Sequence, residues 1–167
     1  MNRIGLLSLL ILLAMCIYAA LSYGDLPEQI AVHFNLEGVP DRFEDKATFH
    51  QIFIPVSLFA VLFSTILLPW VVSKFPQSWT NIPNKDYWFA TPERRAEVKK
   101  FQDTVISTSG LYLISVLFLA YVSIVDVNTD PLVDIPIMVF VAAIIAMTIV
   151  YIILMIVWLL RFSRRPT

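Results

Sequence analysis

Residues 25–43, DLPEQIAVHFNLEGVPDRF, form a polar, turn-rich stretch between two long apolar runs, and its reading decides how the chain is folded. Ile30, Val32 and Phe34 alternate with Gln29, Ala31, His33 and Asn35, the period-two pattern of a strand with one apolar face. Leu36-Glu37-Gly38 reads as a turn with Gly38 free to take positive φ, and Val39-Pro40-Asp41 as a second bend with Pro40 fixing its own φ. A short β-hairpin-like loop is therefore expected, its apolar face resting on whatever the flanks build. Phe43 and Phe49 lead the chain back towards that support.

The flanks are membrane spans. Crossing a hydrocarbon core about 30 Å thick takes about 20 largely uncharged residues. Ile4–Tyr23 and Ile52–Ser73, on either side of the loop, meet that requirement without an Asp, Glu, Lys, Arg or His, and so do Thr104–Val125 and Ile135–Leu160. The composition agrees, at 58% hydrophobic and 15% charged with mean hydropathy +0.75, against an apolar share of about half in soluble domains. The expected fold is an all-α membrane protein. Four transmembrane helices form one domain over residues 1–167, with an extracytoplasmic loop at 24–51 and a cytoplasmic interfacial loop and helix start at 74–103. The first apolar run is longer than a signal-peptide core, so it reads as a retained span. Cys16 reads as a small buried hydrophobe, and a single cysteine allows no intrachain disulfide. Thr48 and Gln51 are spaced as a capping box for the second helix, and Pro55 predicts a kink soon after.

Charge orients the bundle. The loop after the first span sets Arg42 and Lys46 against six carboxylates, whereas the loop after the second holds six Lys and Arg against four carboxylates. Asp126, Asp130 and Asp134 are the charges of the third loop, and Arg161, Arg164 and Arg165 those of the tail. Ten of the twelve Lys and Arg thus lie on one side, which the positive-inside rule makes cytoplasmic. Both termini are expected inside and residues 25–43 outside. On the inner side, Trp79, Tyr87, Trp88 and Phe89 have the aromatic character of the headgroup level. Thr91 then reads as an N-cap with Pro92 at the first helical position, opening a helix that runs on into the third span. Lys99 and Lys100 precede Asp103 at helical spacing. Tyr87, Trp88, Arg94 and Arg95 form the interfacial set; their charges orient the chain and attract anionic headgroups at about 1 kcal/mol each.

Three groupings bear on chemistry. His33, Asn35, Glu37 and Asp41 crowd the outer loop, with His50 at the start of the second span. Imidazole and carboxylate suit a divalent metal such as zinc, so His33, Asp41 and His50 are the metal candidates. The competing structural reading has His33 and Asp41 hydrogen-bonding turn amides. Asp126-Val-Asn128-Thr-Asp130 begins like a calcium loop, but Pro131 stands where that loop takes Gly and Ile137 where it takes Glu; it reads instead as an acidic, solvated cap. Within the spans, ionisable side chains are absent, which removes the usual proton relay or intramembrane catalytic dyad. Ser57, Ser64, Thr65, Ser107, Thr108, Ser109, Ser115 and Thr148 read as contacts between helices.

The run LPEQIAVHFNLEGVPDRF, set between two spans, resembles the outer-loop signature of a widespread bacterial membrane domain of unknown function. That domain stands at the front of proteins similar to the Sdp-toxin immunity protein (SdpI-like). Leu26-Pro27, His33-Phe34-Asn35 and Gly38-Val39-Pro40-Asp41 carry the resemblance, over about the first 70 residues as bounded by the two spans. Ile82-Pro83-Asn84-Lys85-Asp86-Tyr87-Trp88 is similar to an element that accompanies the domain in some members. The resemblance implies the bacterial cytoplasmic membrane and, from a few relatives, protection against a membrane-active peptide toxin or a part in signalling. This sequence carries four spans, without the additional helices of the immunity proteins themselves. The function expected is that of a non-enzymatic membrane accessory protein whose outer loop recognises a membrane or secreted protein or peptide. In that reading His33, Asn35 and Asp41 are polar contacts, and Gly38 and Pro40 give shape. The alternatives are a zinc-dependent membrane enzyme or metal-handling protein using His33, Asp41 and His50, and a small-molecule transporter component. No nucleic-acid partner is expected.

Overall fold

The computed structural model describes residues 2–35, 37–76, 79–129 and 137–163. Helix α1 (Arg3–Ser22) is opened by Asn2, whose side chain accepts from the Gly5 N–H at 2.9 Å. Strands β1 (Gln29–Phe34) and β2 (Pro40–Asp45) pair antiparallel as a two-stranded hairpin. Helix α2 (Lys46–Leu62), a π turn (Phe63–Leu67) and helix α3 (Leu68–Val72) follow as one rod, Lys46–Val72. The π turn falls just before Pro69. A proline has no N–H to give and its ring collides with the carbonyl four residues back, a conflict that a wider turn relieves. After the short α4 (Lys85–Trp88) come α5 (Pro92–Thr129) and α6 (Ile137–Ser163).

Four helices are long and apolar enough to span a bilayer, and much of their large apolar surface faces outward, as lipid contact requires. The chain is a multi-pass, mostly helical membrane protein with a hairpin between its first two spans. The second rod starts at Lys46, ahead of the expected Ile52, and its cap is Asp45 in place of the Thr48–Gln51 box: the Thr48 N–H donates to Asp45 Oδ1 at 2.9 Å. Pro55 lies inside α2 without ending it. Cys16 is half-buried beside the Leu12 and Met15 cluster, less enclosed than expected. The helix beginning after Thr91 does run unbroken through the third span, and Lys99 pairs with Asp103 at 2.9 Å. Leu36 of the turn, Asp130, Pro131 and Asp134 of the third loop, Ile135 at the expected start of the last span, and Arg164 and Arg165 of the tail lie outside the described residues.

Helices α1, α2 and α5 form the bundle. Leu12, Met15, Val61 and Ile114 make its middle, and Ala19, Leu26, Ile30, Tyr121 and Val125 make the end on which the hairpin sits. The π turn lets α2 come close to α5, where a Cβ on Gly110 would stand 2.5 Å from Ser64 Oγ. Helix α6 stands to one side against α5, with no residue of its apolar stretch buried. Stacked Tyr112 and Tyr151 rings 4.6 Å apart hold it, with hydroxyl bonds of 2.7 Å between Ser109 and Tyr151 and between Tyr112 and Thr148. Ser107, Ser109 and Thr148 thus do join helices, whereas the hydroxyls of Ser57, Ser64, Thr65 and Ser115 donate to carbonyls of their own helix.

Candidate functional site: the outer hairpin

The hairpin turn is built around Asn35. Its carboxamide oxygen accepts from the N–H groups of Glu37 at 3.1 Å and Val39 at 2.8 Å, while its own backbone exchanges bonds with Val39 and Gly38. Gly38 takes φ 77°, the left-handed region expected of it and costly for any residue with a Cβ. Beyond the turn, Phe34 faces Pro40 and His33 faces Arg42, with irregularities on both sides of His33. Such bulges re-aim a side chain, and here His33 Nδ1 meets Asp41 Oδ1 at 2.5 Å. The two residues pair with each other across the hairpin; among the described residues neither bonds a turn amide as the structural reading proposed, and Asn35 accepts from the Glu37 and Val39 N–H groups instead. The pair is open, with side chains 60% and 45% exposed, so it contributes at most about 1 kcal/mol to holding the hairpin.

The base of the hairpin is fixed far more firmly than its tip. Leu26 and Ile30 are buried in the bundle end, Ile30 completely. Asn128, from the last turn of α5, accepts from the Ala31 N–H at 2.7 Å and donates to the Ala31 carbonyl at 3.0 Å, as a neighbouring strand would. Lys46 at the head of α2 donates to the Leu26 carbonyl at 3.0 Å, pairs with Glu28 at 3.1 Å and lies over the Tyr23 ring. Both residues escaped the sequence reading, in which Asn128 belonged to a solvated acidic cap and Lys46 counted as loop charge. The clue at Asn128 is chemical: alone among the polar side chains of Asp126–Thr129, a carboxamide both donates and accepts in one plane. Asp126 is not simply solvated either, since the Tyr18 hydroxyl donates to it at 3.4 Å.

The metal candidates divide. His50 Nδ1 lies 2.6 Å from the Lys46 carbonyl, which can only accept, so that nitrogen donates; Nε2 is hydrogen-bonded to the Tyr121 hydroxyl at 2.7 Å. His50 is thus a strut in the bundle wall, edge-on to Tyr23. The His33–Asp41 pair supplies two donors where a zinc site takes three or four protein ligands, and among the described residues no group of three or more His, Cys, Asp or Glu is placed to hold a metal.

Around the pair, the tip presents Arg42 and the apolar side chain of Val39, 55% exposed; Phe43, 54% exposed, stands further down β2 opposite Ala31. β2 carries Pro40 and charged residues along an exposed strand, features that discourage a further strand from adding to its edge. At its foot, the Thr48 N–H donating to Asp45 holds that carboxyl below the usual aspartate range.

At the other end of the bundle, Trp88 is 4% exposed, packed on Val98 and Phe162, with its indole N–H donating to the Phe162 carbonyl at 3.1 Å. The Asn84 carboxamide donates to the Ser163 carbonyl at 2.9 Å. Together they satisfy carbonyls that the end of α6 leaves free, which gives the Ile82–Trp88 segment a structural task. Arg94 lies over the Tyr87 ring at 3.8 Å, and Arg95 lines a separate groove.

A family model described as a domain of unknown function (DUF1648) matches residues 10–59. The matched stretch runs from within α1, through the whole hairpin, into α2, and covers less than a third of the chain. Neither the curated proteins nor the solved structures give a match.

Proposed function

We propose that this protein is a non-enzymatic accessory component of the bacterial cytoplasmic membrane, and that its hairpin is a rigid recognition element for a protein or peptide at the outer surface. The supporting observation is the contrast between base and tip. Asn128, Lys46 and the buried Leu26 and Ile30 anchor one end, while the His33–Asp41 pair, Arg42 and Val39 stand open at the other, and Phe43 is exposed on β2 between them and the base. A tip held in place before contact avoids much of the ordering cost of binding. In this reading His33, Asp41 and Arg42 offer polar contacts, Phe43 and Val39 offer apolar ones, and Asn35, Gly38 and Pro40 set the shape. The resemblance to SdpI-like proteins makes a membrane-active peptide toxin or a sensor protein the first partner to seek, in keeping with immunity or signalling.

The test is crosslinking in cells from a photoreactive residue at Glu37, an exposed position in the turn. One reproducible membrane or secreted partner, its yield reduced by Phe43→Ala and by Asp41→Ala, supports recognition. Capture of nothing but the protein itself overturns it. The metal-handling alternative draws on the open His33–Asp41 pair; stoichiometric zinc in purified protein, lost in His33→Ala, would put it in first place.

A further inference from the structure

A half-open groove of about 760 Å³ lies at the end of the bundle opposite the hairpin, between the close of α3, the segment before α4, and the facing sides of α5 and α6. Its size falls within the range of about 300–1,000 Å³ typical of small-molecule sites. What sets it apart is the order of its chemistry along one stripe of α5. Arg95, Lys99, Gln102 and Ile106 all line it, at spacings of four, three and four residues that keep them on one helical face. At about 1.5 Å per residue the stripe is about 16 Å long, and it passes from cations through a carboxamide to alkyl.

The remaining walls are mixed, with Ile82, Phe89, Val98 and Phe101 bringing apolar surface beside the two cations. Thr80 and Asn81 also line it, and Gln102 donates to Thr80 Oγ1 at 3.3 Å. Val105, Met155 and Leu159 line the apolar part, and Trp79 is an exposed aromatic on the rim. The lining contains two cations and no carboxylate. Arg95 makes no ion pair among the described residues, and the Lys99–Asp103 pair is solvent-exposed on both sides, so it is weak. Lys100, the next residue on α5, turns elsewhere and does not line the groove.

We infer that this groove is a binding site for an anionic phospholipid, with the headgroup phosphate on Arg95 and Lys99 and an acyl chain along Ile106, Val105, Met155 and Leu159. Charge complementarity selects the anion, and the apolar continuation on α5 and α6 selects a molecule with a chain. A soluble phosphate would leave that half of the groove unused. The site is independent of whatever the hairpin binds, since the two lie at opposite ends of the bundle.

The experiment is native mass spectrometry of the full chain, delipidated in detergent and titrated with dioleoyl phosphatidylglycerol and dioleoyl phosphatidylcholine. The expected result is a preference for phosphatidylglycerol that falls about fivefold in Arg95→Ala and again in Lys99→Ala, from the usual worth of one cation near an anionic surface. Lys100→Ala, which removes the same charge one residue away, should leave the preference within a factor of two or so. Excess inorganic phosphate should not displace the lipid. Thermal melts of the variants confirm folding, which these exposed side chains do not support. Equal binding of the two lipids, an equal loss in Lys100→Ala, or displacement by inorganic phosphate would each overturn the inference.

Discussion

Two residues of the hairpin carry consequences out of proportion to their size. Gly38 sits at φ 77°, where a β-branched residue meets a steric cost of about 1–3 kcal/mol. Gly38→Val should therefore loosen the turn, seen as faster hydrogen exchange at the Val39 and Gly38-site amides, with the spans left intact; an unchanged exchange pattern would mean the turn does not need positive φ. Asp45 acts through its charge. Its carboxyl is lowered chiefly by the Thr48 N–H that donates to it, so the folded form binds its proton less readily than the unfolded one. The stability this contributes is complete above the ordinary aspartate range and is lost as pH falls through the lowered value. Protection of the Thr48 amide should accordingly fade in acid. Asp45→Asn, which still accepts but does not titrate there, should flatten that pH dependence. The sequence pointed to Gly38 because few residues besides glycine suit that backbone. Asn35 and Asp45 were harder to assign, since several polar side chains compete for each turn and cap, and only the realised backbone decides among them.

At the scale of elements, the hairpin owes its position to α5. The Ala31 backbone is buried, and both of its polar groups are satisfied by the Asn128 carboxamide. Asn128→Leu would leave a buried donor and a buried acceptor without partners, at about 1–3 kcal/mol each. We expect the Ala31 amide to exchange much faster and crosslinks from Glu37 to lose specificity, while helix content measured by circular dichroism stays the same. An Ala31 amide as protected as in the parent would show that the hairpin is held by Leu26, Ile30 and Lys46 alone. This anchor also marks where legibility ends. Four spans could be read because each is a local run of apolar residues, and the period-two face of Ile30, Val32 and Phe34 announced the hairpin in the same local way. Asn128 and Ala31 are 97 positions apart, and no periodicity within either segment encodes their meeting. The partner of Trp88 was illegible for a related reason: the end of α6, 74 positions on, arrives to cover it and takes its N–H.

For the whole molecule, the geometry and the charge distribution can be tested against each other. The end of α6 meets Asn84 and Trp88, and the start of α1 reaches α5 through the 2.8 Å bond from Asn2 to Ser107, so both described ends of the chain lie towards the bundle end away from the hairpin. That end also gathers most of the Lys and Arg, from which, by the positive-inside rule, we propose that it faces the cytoplasm and the hairpin the outside. A fluorescent reporter that matures only in the cytoplasm, fused after Thr167, should be bright, and an enzyme reporter that needs export should be inactive there but active when inserted at Glu37. Helix α6 makes the result discriminating. It rests on one side of α5 through Tyr112, Tyr151, Ser109 and Thr148, and it must cross the bilayer for those pairs to form within the spans while Trp88 caps its far end. An exported C-terminus with a fluorescent insertion at Glu37 would invert the whole protein, place the hairpin in the cytoplasm and end the case for an external partner. An exported C-terminus with an exported Glu37 would mean that α6 does not cross, and Tyr151→Phe would then have no effect on stability. The expected arrangement instead makes the Ser109–Tyr151 bond a contact inside the membrane, worth about 0.6 kcal/mol on average for such pairs, a loss small enough that a double-mutant cycle with Ser109→Ala is needed to see it.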